Sequence, residues 1–307
     1  MGRAVYFFCM DKNIDPVASK IFSFVENNYK LSKINLTVDG FSVMEYNDGN
    51  YFQFVRLNDV LSHNYIKYLL LLNEHFMNFD IAGIINWHEG IKAPDKILTV
   101  HSTGDVPSGN FGKSNPEYFK NLLCSLEQNR IKYQLDVFRV MTEATHWSGI
   151  PYKQSPELIT EYDVPIYDIE IGSTLESWNN EIAIKILSES LFDVFNESVQ
   201  LKVLLCVGGI HFEESYSSIL LEKENGISVG HILANQWVVE NYLEENGLVK
   251  LNKCMESIIG GVNGIIFHDN LKGEYKQQCR AIAEKNNIYV GKHKMLKTSE
   301  ELKKVLK

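Results

Sequence analysis

Short runs of β-branched and aromatic residues alternate with amphipathic segments along most of this 307-residue chain, and that alternation constrains the fold more than any other feature. Apolar runs of this length bury under helices, so the pattern predicts an α/β fold, layered α/β/α around a mixed, partly parallel sheet. Strands are expected at Ala4 to Cys9, Ile81 to Ile85, Ile97 to His101, Gln134 to Met141, Pro165 to Ile171, Leu201 to Val207 and Val262 to Phe267. Helix starts are marked chemically: Asp15-Pro16 and Asn115-Pro116 pair a capping side chain with proline at the first helical position. Ser173-Thr-Leu-Glu176 and Thr298-Ser-Glu-Glu301 have capping-box spacing.

Thr37 to Val55 alternates like a hairpin with Asn47-Asp-Gly-Asn50 as its turn, which adds antiparallel pairing. No repeat, heptad or Pro/Ser-rich linker divides the chain. The expected organisation is one composite α/β domain over residues 1–307, with an antiparallel hairpin insertion at about 37–56.

The opening apolar run reaches Asp11 too soon for a signal peptide and reads as a first strand. No stretch approaches the roughly 18 apolar residues that span a bilayer, so no membrane partner is expected. The five cysteines lie far apart with no C-x-x-C pair, and Cys9 and Cys206 sit inside strand-like runs. Reduced thiols behave there as small hydrophobes, which points to the cytoplasm. The net charge of -9 is the opposite of a phosphate-gripping footprint and argues against DNA. An RNA substrate needs a local basic patch.

Against this background four histidines share one context, a short stretch rich in Gly, Ser or Thr just after an apolar run: Thr99-Val-His101, Glu143-Ala-Thr-His146, Gly208-Gly-Ile-His211 and Gly230-His231. Neutral imidazole takes or gives a proton, or binds a metal, near pH 7, so the repetition suggests convergence on one site. His101 closes a strand and opens the longest irregular stretch, Ser102 to Asn115, at the sheet edge where α/β proteins place ligands. A histidine merely hydrogen-bonded at a strand end fits the same pattern.

Glu143 stands three residues before His146, near enough to orient it or share its proton if the chain turns; a solvated turn is the plainer reading. Glu170 closes another strand, followed by Gly172, Ser173 and a helix start whose amides suit an anion. Gly208 and Gly209 allow close backbone approach before His211. His88 ends the Ile81 strand and faces the same edge, whereas His63, His75, His268 and His293 lie in ordinary helical or polar settings.

Several chemistries fail on spacing. Gly109-Asn-Phe-Gly-Lys-Ser114 lacks the first phosphate-loop glycine, where Pro107 stands, and leaves Lys113 as a lone phosphate contact. His88-Glu89 has no partner histidine for a metalloprotease helix, and no G-x-S-x-G exists. Water is therefore the expected attacking group in a hydrolase.

Leu98-Thr-Val-His101, Glu143-Ala-Thr-His146, Glu170-Ile-Gly-Ser-Thr174 with Trp178, Gly208-Gly-Ile-His211 and Gly230-His-Ile-Leu233 stand in one order along the chain. With the opening strand and Asn86-Trp-His88, they resemble the archaeal and plant type of D-aminoacyl-tRNA deacylase, up to about residue 235. The resemblance implies a fold related to peptidyl-tRNA hydrolases and nucleoside phosphorylases, hydrolysis of the ester between a D-amino acid and tRNA, and an association with zinc. The positions it carries over are His101, Glu143, His146, Glu170, His211 and His231, without individual roles. On chemical grounds the expected catalytic residues are His101, Glu143, His146, His211 and His231, with zinc on two or three histidines among His101, His211 and His231. Substrate contacts are expected at His88, Gly104, Lys113, Glu170, Gly172, Ser173, Gly208 and Gly209.

Departures from the family pattern are also legible. Where E-A-T-H-H-G-P is usual, this chain has Glu143-Ala-Thr-His-Trp-Ser-Gly149, and where G-G-G-H-Y-A-P-R is usual it has Gly208-Gly-Ile-His-Phe-Glu-Glu-Ser215. Asn235 replaces the usual lysine. A second histidine is lost at Trp147, and positive charge is lost from positions that could meet phosphate, which leaves the expected reaction centre more intact than the expected RNA contacts. The expected partner is a D-aminoacyl-tRNA, with a small acylated or peptidyl substrate as the alternative and a catalytically silent binding protein as the third reading. Glycine amides near Gly208 and Gly209 are expected to stabilise an oxyanion.

Overall fold

The structure is a computed structural model and describes residues 1–90, 93–148, 155–196 and 200–306. Its strands are β1 (Arg3–Cys9), β2 (Ser32–Val38), β3 (Phe41–Asn47), β4 (Tyr51–Leu57), β5 (Ile81–His88), β6 (Lys96–Ser102), β7 (Gly104–Asp105), β8 (Asn110–Phe111), β9 (Arg139–Thr142), β10 (Ile166–Ser173), β11 (Lys202–Val207), β12 (Ile227–Leu233), β13 (Gly264–Phe267) and β14 (Tyr289–Lys292). Eight of them form one mixed sheet in the order β2-β3-β4-β1-β5-β10-β6-β9. β1 runs parallel to β4 and β5, and β5 parallel to β10, whereas β10 and β6 are antiparallel. The fold is α/β with a mixed, partly parallel sheet, as the sequence implies.

Each expected strand forms, although β9 is shorter than expected: Gln134, at φ 53°, turns the chain out of the preceding helix, so pairing starts only at Arg139. The antiparallel segment is a three-strand meander, with Asn47 opposite Tyr51 across its second turn. β4 pairs directly with β1, so the meander extends the sheet. Asn115 caps its helix with Pro116 at the first position, as expected. Asp15 accepts the Val17 and Ala18 amides, but that helix begins at Ala18 and not at Pro16. At the third start Thr174, not Ser173, is the cap.

A second sheet, β12-β11-β13-β14, is wholly parallel. Alternate residues of its strands enter different cores, as a parallel sheet covered on both faces requires. Leu204 and Cys206 join the large core of the first sheet, while Leu205 and Val207 pack with Phe267 and Tyr275 beneath the helices Glu244–Glu256 and Gly273–Lys285. Between the sheets lies the helix Pro116–Lys132, which touches β6 and β9 on one side and β12 on the other.

Candidate active site

Strand register builds the floor of the site. Glu170 on β10 lies opposite Asn86 on β5 and Thr99 on β6, and Asp168 lies opposite His101. Side chains alternate along a strand, so Asn86, His88, Thr99, His101, Asp168 and Glu170 share one face of the central strands. The other face is apolar, with Ile85, Val100 and Ile169.

The Glu143-to-His146 segment follows β9 and crosses from the first sheet to the second. The Glu143 amide donates to Val100 on β6, the Ala144 amide to the His211 carbonyl at 2.9 Å, and the Thr145 amide to Ile232 on β12 at 2.8 Å. The Gly104 amide donates to the His146 carbonyl at 3.2 Å. This segment delivers Glu143 and His146 to the polar floor while joining the two sheets. His211 arrives from the second sheet on the turn after β11, where Gly208 and Gly209 adopt φ of 91° and 84°. An L side chain rarely tolerates that region, which is why both positions are glycine.

Glu143 is the centre. Its Oε2 lies 2.8 Å from His211 Nε2 and 3.3 Å from His88 Nε2, and its side chain has no exposed surface. Burial alone raises a carboxyl pKa, but the bonds from the two histidines outweigh it and hold Glu143 well below the usual range. Burial also disfavours charge on His88, yet Glu143 raises its pKa. Ser173 Oγ, 2.9 Å from His88 Nδ1, fixes that ring, and Gly172 lets β10 approach it closely, since a Cβ there meets the His88 Cβ at 2.7 Å.

His101 is buried, with Nε2 3.7 Å from Asp168 and 3.8 Å from Glu170. Burial works against its charge, but Asp168 and Glu170 push its pKa up to about 10. Burial and the charge of Glu143 push Glu170 up to about 8, and burial raises Asp168 despite His101 and Asn86. His146 stacks on His101, ring centroids 3.8 Å apart, and its Nδ1 faces the Ala144 carbonyl at 2.9 Å. Burial and the charge of His101 hold His146 well below the usual imidazole range. A carbonyl only accepts, so Nδ1 carries the proton of a neutral ring and Nε2 the lone pair.

Among the described residues three sets offer ligand atoms within 4.8 Å of one another: His88, Glu143 and His211; His101, Glu143 and His146; His101, Asp168 and Glu170. His101 Nε2, Glu143 Oε1, Asp168 Oδ2 and Glu170 Oε2 are buried without a hydrogen-bond partner. Such atoms are costly unless water or a cation completes them.

The structure thus brings together His88, His101, Glu143, His146, Glu170, Gly172, Ser173 and His211. It places others elsewhere. His231 lies within β12, not in a turn, with Nδ1 2.8 Å from Ser102 Oγ and Nε2 3.0 Å from Ser257 Oγ. Both its nitrogens are committed to hydroxyls, and it joins none of the three ligand sets, so the expected zinc set His101, His211 and His231 is not assembled. The Gly208 amide donates to Leu233 at 2.7 Å, which removes it as an oxyanion donor. Lys113 lines a separate cavity of about 280 Å³ with Lys253, Asp163 and Glu256. Asp168 escaped the sequence reading, although its place two residues before Glu170 in one strand was the available signal.

A buried cluster of histidines around one carboxylate, set where two sheets meet, makes this an α/β protein equipped for proton transfer. A family model for D-aminoacyl-tRNA deacylase matches residues 75–291, and the chain belongs to that family. The D-aminoacyl-tRNA deacylase of Thermoplasma volcanium is 25% identical over 250 residues, covering 75% of this chain and 82% of that protein. The one from Thermoplasma acidophilum is 26% identical over 254 residues, covering 77% and 89%. The crystal structure of a conserved protein of unknown function, AF0625, shares the fold with a TM-score of 0.77 at 21% identity over 97% of both chains.

Proposed function

We propose that this protein hydrolyses the ester linking a D-amino acid to the 3′ end of tRNA, in a reducing cytoplasm that keeps its five buried cysteines as free thiols. The observation that carries this reading is Glu143, buried and bonded by both His211 and His88, in a chain of the deacylase family. Bonding at Nε2 leaves His211 with Nδ1 as its basic nitrogen, on a side chain 26% exposed. His211 takes a proton from water as the water attacks the ester carbonyl, and Glu143 stabilises the imidazolium that forms. The proton returns to the ribose oxygen as the C–O bond breaks. With no zinc bound, positive charge on His101 favours the developing oxyanion.

The orphaned atoms of His101, Asp168 and Glu170 fit a zinc ion, which binds nitrogen and carboxylate ligands and would displace the proton from His101 Nε2. Bound there, zinc supplies Lewis-acid polarisation and a more acidic water.

The test is release of amino acid from D-tyrosyl-tRNA and L-tyrosyl-tRNA by the purified protein, with and without chelator. D-selective release supports the reading, and its loss with chelator supports zinc. No release from either substrate at high enzyme rejects it.

A further inference from the structure

The histidine cluster ends in an indole. Trp237 lies against His146, centroids 5.8 Å apart with planes 27° apart, and edge-on to His211 at 5.4 Å. His146 in turn stacks on His101, so three rings form one column from the buried carboxylates to a part-exposed tryptophan. Phe212 flanks the other side, 4.9 Å from His211 and 5.2 Å from His88. The Asn235 amide donates to the Gly209 carbonyl at 3.0 Å, which ties the short helix Asn235–Val238 to the turn bearing His211 and Phe212. Ile210, 67% exposed, adds apolar surface on the same turn.

Proton transfer and the histidine network account for the imidazoles but not for this aromatic rim. Acids dominate the sequence beside it: Glu213 and Glu214 follow Phe212, the latter paired with Arg139 at 2.7 Å, Glu240 follows the short helix, and the chain as a whole carries -9. Phosphate contacts at such a rim are repulsive, whereas a neutral base stacks on an aromatic face whatever the surrounding sign. The base nearest the ester of any aminoacyl-tRNA is its terminal adenine.

We propose that Trp237, with Phe212, is the seat of the terminal adenine, so that the enzyme holds its substrate by stacking at the acceptor end. This rests on the deacylase reading and names the part of the substrate that the site grips.

The experiment measures adenosine binding to the full chain by calorimetry and the ratio of kcat/KM for 3′-O-D-tyrosyl-adenosine to that for D-tyrosine methyl ester. Stacking of one base predicts that Trp237→Ala weakens adenosine binding about tenfold and lowers the ratio as much, while Trp237→Phe recovers most of both. If the alanine variant fails to fold, Trp237→Leu, which keeps apolar volume without a stacking face, carries the test. An unchanged ratio and affinity overturns the proposal, as does weakened binding of D-tyrosine amide in place of adenosine, which assigns the rim to the amino-acid side chain. Wild-type protein that binds adenosine yet releases nothing from D-tyrosyl-tRNA rejects the deacylase reading and leaves the seat standing. Release without measurable adenosine binding does the reverse.

Discussion

His101 and His146 stack with centroids 3.8 Å apart and planes 24° apart, although their surroundings drive their protonation in opposite directions. His101 faces Asp168 and Glu170 and keeps its proton. His146, one ring further out, is held neutral by its burial and by the charge of His101, which outweigh the nearby Glu143. The stack sets a charged ring against a neutral one.

That contrast has a pH signature in metal-free protein. His101 is raised to about 10 from an unfolded value of about 6.5, so its stabilising contribution is full below pH ~6.5 and is lost as pH rises through about 10. Denaturant midpoints measured between pH 6.5 and 10 are expected to fall for the wild type and to fall less for His101→Gln. Equal slopes in both proteins remove His101 as the source.

Glu143→Gln keeps the shape of the side chain and removes its charge. His211 then lacks the partner that stabilises its imidazolium, and kcat/KM on D-tyrosyl-tRNA is expected to drop about a hundredfold or more. A drop below tenfold in a folded variant places the base elsewhere. Because Glu143 is held below its usual range, the stability it contributes is present above pH ~4.3 and is lost as pH falls below it.

His231→Ala tests a structural role. Its ring bridges β12 to the end of β6 through Ser102 and to Ser257 after the helix Glu244–Glu256. Removal leaves a buried cavity and breaks both bridges, so unfolding should become easier by about 2–4 kcal/mol. Its remaining folded fraction is expected to retain activity on D-tyrosyl-tRNA.

Asp168→Asn bears on the proposed zinc site. Loss of one carboxylate beside His101 is expected to weaken zinc binding at least about tenfold, read by competition with a chromophoric chelator. Lys113→Ala, in its separate cavity, should leave zinc affinity unchanged.

Much of this was legible in residue order. The strands ending at Cys9, His88, Ser102 and Ser173 announced themselves because each is built on a β-branched or aromatic run, and His88 and His101 lie at or next to the ends of such runs as expected. β12 did not, because Ser228 and Gly230 break its apolar run; His231 therefore looked like a turn residue when it is a buried strand residue. Asp168 was hidden by the opposite effect, a carboxylate in a strand whose neighbours are all apolar, where period two alone shows that it joins Glu170. The division into two sheets depends on which strands pair across long stretches of chain, and local pattern carries no such information.

The four residues from Glu143 to His146 act at once as chemical groups and as the weld between the sheets. A weld made of the reacting groups leaves no route to a loosened but working protein. Any opening wide enough to part β6 from β12 also pulls His211 off Glu143. Inactivation on heating should therefore coincide with the first separation of the two halves, ahead of melting within either one, and variants that merely soften the seam should be as damaging as those that alter the imidazoles.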